Sequence, residues 1–147
     1  MNQTEIYRPQ WKTFCDRFSR QHRCWIANLS VGGVEASLAL EIEPDEVEQQ
    51  MRCLSRSAPF QNLAVDPNYG SPTLSVTLGA PPKAAVYWID DPLRLLFLRN
   101  AEGAHEGLMV ENRCGQATLL RFRSAALPET LDGISEAERL LASMGTA

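Results

Sequence analysis

The chain has 147 residues, of which 44% are hydrophobic and 22% are charged, and its formal net charge is −4. These values are typical of a globular domain that buries a core without metals or disulfides, and they disfavour a disordered chain. The negative total also disfavours a dedicated nucleic-acid binder, because such proteins concentrate positive charge. We expect one domain over 1–147, with a core at about 8–134 and a C-terminal helix and tail over 135–147.

An amphipathic helix is predicted close to the N-terminus. Its apolar stripe repeats at helical spacing and comprises Trp11, Phe14, Cys15, Phe18 and His22. Alternating apolar residues over 25–31 follow at once and predict a strand. Because helix and strand are joined with almost no linker, we expect the stripe to lie on the sheet and Trp25 to join the same core.

The rest of the chain is predicted to form mainly strands. Gly32-Gly33 predicts a hairpin turn, and 34–43 alternates between apolar and acidic residues as a half-buried strand does. Residues 45–56 fit either a short helix or a bent strand. Short strands separated by turn signals are predicted over 60–65, 73–78, 84–89, 93–99, 108–112 and 117–123. A short helix is predicted over 135–144.

These elements predict an α+β fold. An N-terminal amphipathic helix packs on a mainly antiparallel, strongly twisted sheet or partial β-barrel, and a short C-terminal helix follows. The strand over 93–98 is apolar on both faces, with Leu95 and Phe97 on one and Leu96 and Leu98 on the other. Such a strand needs cover on both sides. The helix supplies one cover, and we expect a second copy of the chain, in a homo-oligomer, to supply the other.

A metal or thiol site is the first chemistry to consider. Cys15, His22 and Cys24 lie close together in sequence, and Cys114 or His105 would have to complete a metal site, but the spacing matches no zinc pattern. A thiolate–histidine pair would also lack an orienting group. We favour a half-buried, hydrogen-bonded His22 and reduced cysteines in or near the core, with no metal and no cofactor.

The Asp90-Asp91 pair is the second candidate. Adjacent carboxylates can bind a hard cation or act as acid and base, but Pro92 follows directly and strands flank the pair, which favours a turn. The sequence contains no phosphate-binding loop, dinucleotide fingerprint, zinc-protease motif or nucleophile elbow. We therefore name no catalytic residue and favour a binding or structural module that self-associates over an enzyme.

A basic helix surface supports the alternative, a nucleic-acid-binding accessory protein. The residues of this surface are Arg17, Arg20, His22 and Arg23, with Arg121 and Arg123 as further cations and Trp25 or Trp88 as stacking platforms. The acidic total and the acidic residues of 35–43 oppose it, so nucleic acid is the less favoured partner. No apolar run is long enough for a membrane span and the N-terminus lacks the order of a signal peptide. We expect a cytoplasmic protein with no membrane partner.

Two stretches carry a family resemblance: WKTFCDRFSRQHRCWIANLSV at 11–31, and DDPLRLLFLRNAEGAHEGLMVENRCGQATLLRFRSAALPETLDGI at 90–134. Together they resemble a bacterial family of small uncharacterised proteins, Domain of Unknown Function 5335. The matching patterns are W-x-x-F-x-x-x-F-S-R-Q-H, D-P-x-R and L-R-F-R-x-x-x-L-P-E. The match covers about half the chain and departs from the family at Cys24, where the family has glycine before the tryptophan. The resemblance implies a bacterial, cytoplasmic setting and brings no activity, ligand or site residue.

Overall fold

The computed structural model describes residues 2–33, 51–66 and 72–126. In chain order the elements are β1 (Asn2–Ile6), a 3-10 turn (Arg8–Gln10), α1 (Trp11–His22), β2 (Ile26–Gly33), β3 (Arg52–Asp66), β4 (Thr73–Leu78), β5 (Ala85–Ile89), β6 (Pro92–Arg99), β7 (His105–Asn112) and β8 (Gln116–Ala126). The strand expected over 34–43 and the helix expected over 135–144 lie outside the described residues.

The strands form one open sheet in the order β1-β6-β7-β8-β2-β3-β4-β5. Every neighbouring pair is antiparallel. β1 and β5 stand at the two ends, and the described strands do not close into a barrel. The expectation of an α+β fold, with an N-terminal helix on a mainly antiparallel sheet, is confirmed.

The long strand β3 joins the two halves of the sheet. Its first part pairs with β2 as far as Pro59, and its second part pairs with β4 from Phe60 onward. Proline has no N–H for a strand ladder and is tolerated where the pairing changes. The sequence pattern predicts this strand only from residue 60, and 45–56 fit either a helix or a strand. The structure shows that 52–56 already belong to the strand.

The aromatic stripe of α1 faces the sheet as predicted. Trp11, Cys15, Phe18 and His22 are buried, and Phe14 is partly buried. A polar clasp fixes the helix to β3. The Ser19 hydroxyl donates to the carbonyl of Leu63 at 3.0 Å and accepts the N–H of the same residue at 2.8 Å. The clasp thus gives hydrogen-bond partners to the N–H and the carbonyl of Leu63, which lies in the part of β3 that does not pair with β2.

The sheet carries an apolar cluster on each face. On the α1 face, Leu95 packs with the aromatic stripe and with apolar residues of β4. On the other face, Leu96, Leu98, Met109 and Leu119 pack together. These four residues are at most 2% exposed within a single chain. The doubly apolar strand therefore gives no argument for a second copy, although it suggested one from sequence.

The N-terminal strand β1 was not predicted, because its sequence NQTEI is polar. Pairing with β6 forms it. The indole N–H of Trp11 donates to the carbonyl of Ile6 at 2.8 Å, and the Arg8 guanidinium lies 4.9 Å from the Trp11 ring centroid while donating to the carbonyl of Pro92. None of the helices in the described part of the chain is long and apolar enough to cross a membrane.

Candidate functional site

The structure separates the residues that sequence analysis grouped into one binding surface. Arg17, Arg20 and Arg23 are exposed along the outer side of α1 and just after its end. His22 has no exposed surface at all. The expected half-buried histidine is therefore corrected to a fully buried one. The arginines form a surface without it.

His22 is hydrogen-bonded through both ring nitrogens. Its Nδ1 lies 2.7 Å from the Phe18 carbonyl oxygen, and its Nε2 lies 2.7 Å from Nδ1 of His105. A carbonyl oxygen only accepts, so Nδ1 of His22 carries the hydrogen. In the neutral ring, Nε2 then accepts, and His105 donates its Nδ1–H. The pair links the last turn of α1 to the start of β7.

An aromatic shell surrounds this pair. The ring centroids of Phe18, Trp25 and Phe122 lie 4.2, 4.6 and 4.8 Å from that of His22. Burial lowers the pKa of His22 from its ordinary 6.5 to about 3. The ring is therefore neutral at pH 7 and has no access to a substrate. Its role is structural, which agrees with the interpretation favoured from sequence.

The cysteines offer no thiolate nucleophile beside His22. Burial, with the neighbouring Asp16 charge, raises the pKa of the Cys15 thiol to about 12. Cys24, Cys53 and Cys114 are exposed, so the expectation that the cysteines lie in or near the core is wrong for these three. Among the residues with described positions, no group of three or more His, Cys, Asp or Glu side chains could hold a metal ion.

Asp90 and Asp91 form the two-residue connection between β5 and β6, with a bend at Asp91 in place of the predicted turn. Asp91 adopts a left-handed conformation with φ of 48°, which aspartate tolerates better than most residues. Its carbonyl accepts the N–H of Arg113 at 3.0 Å, and Pro92 begins β6. These features account for the adjacent carboxylates without a bound cation.

Charge is divided unevenly along the chain. The described residues contain 13 Lys and Arg against 8 Asp and Glu, a net charge of +5, whereas the remaining residues contain 1 against 10, a net charge of −9. On α1, Lys12 pairs with Asp16 at 3.6 Å. No carboxylate of 2–33, 51–66 or 72–126 forms an ion pair with Arg17 or Arg20. The outer side of α1 is thus a basic surface.

A groove runs beside this basic surface. Its volume is about 380 Å³, and it is lined by Ile6, Pro9, Gln10, Thr13, Phe14 and Arg17. The lining is mainly apolar or uncharged, with one cation at its edge. Neither His22 nor His105 lines it.

The strand β5 presents the second exposed feature. Among the described strands it pairs only with β4, so one side of its backbone has no strand partner there. Its five residues, AVYWI, include no charge. Val86 is 48% exposed and Trp88 is 60% exposed. Edge strands are usually protected by charges, prolines or bulges, and β5 has none within its bounds. From the sequence alone, Trp88 is expected only as a stacking platform.

The chain matches no protein-family model, no curated protein and no solved structure. Three features of the described residues bear on function: the histidine pair, the basic helix surface and the β5 edge. Of these, the first is closed to ligands and the other two face solvent.

Proposed function

We propose that this protein is a non-enzymatic binding module that self-associates through the free edge of β5. The observation that carries the proposal is an uncharged edge strand that pairs with β4 alone among the described strands and exposes Val86 and Trp88. A bacterial origin, a cytoplasmic location and membership of Domain of Unknown Function 5335 belong to the same proposal and rest on the sequence patterns alone.

Pairing between two β5 edges has two physical benefits. It gives hydrogen-bond partners to the β5 backbone groups that no described strand pairs, and it removes the Trp88 and Val86 side chains from solvent. Tryptophan is also among the residues that contribute most to interfaces. Strand addition is an established mode of protein recognition that depends on main-chain hydrogen bonds.

Sedimentation equilibrium of the wild type and two matched variants tests the proposal. We expect the wild type to associate as concentration rises and Trp88→Glu to stay monomeric, because a charge on the edge opposes pairing. Tyr7→Glu is the control, since Tyr7 is 70% exposed but lies outside β5. A wild type that remains monomeric at high concentration overturns self-association. Equal association of Trp88→Glu and the wild type overturns the role of β5.

A second candidate is binding of nucleic acid by the outer side of α1. The net charge of +5 on the described residues and the exposed Arg17, Arg20 and Arg23 favour it. We expect salt-sensitive retention on single-stranded RNA that the Arg17→Glu/Arg20→Glu double variant loses and Arg113→Glu, an exposed cation elsewhere, keeps. Retention that is the same for both variants would rule out this surface.

A further inference from the structure

We infer that two copies of this chain pair their β5 strands antiparallel about a two-fold axis at Tyr87. This inference rests on the proposed self-association and adds the orientation and register of the contact. The occupant of the free edge is thus a second copy of the chain.

Charged residues of opposite sign flank the two ends of β5. Lys83 precedes the strand, and Asp90 and Asp91 follow it, with only uncharged residues between them. Lys83 and Asp90 are exposed, and neither forms an ion pair with another described residue. The segment KAAVYWIDD therefore has a basic end and an acidic end, both open to a partner.

Charge complementarity then selects the orientation. Antiparallel pairing of two identical segments places the Lys83 end of each copy beside the acidic end of the other. Parallel pairing would place lysine beside lysine and aspartate beside aspartate. Complementary charges favour the correct arrangement and like charges disfavour the wrong one. The segment is consequently self-complementary in the antiparallel direction alone.

The two faces of β5 select the register. Tyr87 and Ile89 stand opposite Val76 and Leu74 of the core in β4, and they are less exposed than Val86 and Trp88. Directly opposed residues of an antiparallel pair point to the same face. A two-fold axis at Tyr87 therefore keeps both cores on one side of the joined sheet and aligns all five residues of each strand. Trp88 then stands opposite the partner's Val86, an aromatic–β-branched pair of the kind that stabilises sheets.

Charge exchange across the interface tests this arrangement. The two variants are Lys83→Glu and the double variant Asp90→Lys/Asp91→Asn, in which asparagine suits the left-handed φ of 48° at position 91. Each variant alone brings like charges together at both ends of the contact, so we expect the dimer dissociation constant to rise about tenfold. An equimolar mixture restores opposite charges at both ends and is expected to form heterodimers with near wild-type affinity. The differences in dimer dissociation constant between these variants and the wild type should disappear in about 1 M salt, where charges are screened.

Cross-linking supplies a second measurement that does not depend on charge. In a background with serine at the exposed cysteines 24, 53 and 114, Tyr87→Cys should form an intermolecular disulfide, since residues on the axis lie about 4.5–5.5 Å apart between Cα atoms. Val86→Cys, which is displaced from the axis, should not. Two results would overturn the antiparallel register without contradicting self-association. One is a mixture that does not restore association, and the other is cross-linking through position 86 but not 87. A wild type that never associates overturns the proposed function itself.

Discussion

His22 illustrates how one polar side chain can lie at the centre of an aromatic core. Its two nitrogens are used by the Phe18 carbonyl and by His105, so the ring is buried without an unsatisfied group. The arrangement requires a neutral ring, because burial away from water and the neighbouring His105 both oppose a positive charge there. Protonation of His22 is therefore coupled to unfolding.

The sign of this coupling predicts a loss of stability in acid. The pKa of His22 is about 3 in the folded chain and close to the ordinary 6.5 in the unfolded chain. Below pH 6.5 the unfolded chain binds a proton at His22, whereas the folded chain does not. The contribution of neutral His22 to the free energy of unfolding is therefore complete above pH 6.5 and is lost as the pH falls towards 3. The slope reaches up to about 1.4 kcal/mol per pH unit.

Denaturant unfolding between pH 7.5 and 4 measures this contribution. His22→Gln should be less stable at pH 7.5 but show a flatter dependence on pH, because glutamine does not titrate. An identical slope for the wild type and His22→Gln would contradict the coupling.

Cys24 shows a backbone constraint at the residue scale. Its φ is 74°, in the left-handed region that favours glycine, and its N–H donates to the Phe60 carbonyl at 2.7 Å. We predict that Cys24→Gly raises the free energy of unfolding by up to about 1 kcal/mol. Cys24→Ala, which keeps a Cβ, is the control and should give no such gain. A loss of stability in Cys24→Gly would contradict the prediction.

At the scale of elements, the clasp between α1 and β3 depends on Ser19. The hydroxyl serves both backbone groups of Leu63 in a buried position. Ser19→Ala leaves a buried N–H and a buried carbonyl without this partner, so we predict a loss of about 1–3 kcal/mol in the free energy of unfolding. Chemical denaturation measures it. Thr13→Ala, an exposed position on the same helix, should change stability little, and an equally small effect at Ser19 would show that the clasp contributes nothing.

Local periodicity predicted α1 and most strands, because burial on one face leaves a pattern in the sequence. It could not predict β1, which is polar and forms only by pairing with β6, or the full length of β3 across Pro59. It also could not show why residue 107 is glycine. Gly107 has a φ of 150°, and a Cβ there would overlap the Leu120 carbonyl oxygen of the neighbouring strand. Such close contacts between strand backbones depend on which strands are neighbours in the sheet.

The candidate surfaces were less predictable than the fold. The helical pattern predicts that Arg17, Arg20 and Arg23 are exposed, and they are. His22 is their neighbour in sequence, but the helix places it in the core. β5 gives no comparable pattern, because an edge strand differs from a central one only through its position in the sheet order. The uncharged segment between Lys83 and Asp90 was the available signal.

At the scale of the whole molecule, hydrogen exchange measured at two protein concentrations tests whether β5 edges pair between copies. We predict that the amides of β5 exchange more slowly in concentrated than in dilute wild-type protein, since pairing between copies protects them. The amides of β1, at the other end of the sheet, should exchange equally at both concentrations. Exchange of β5 that does not depend on concentration, or a rise in protection that is equal at β1, would contradict self-association through the β5 edge.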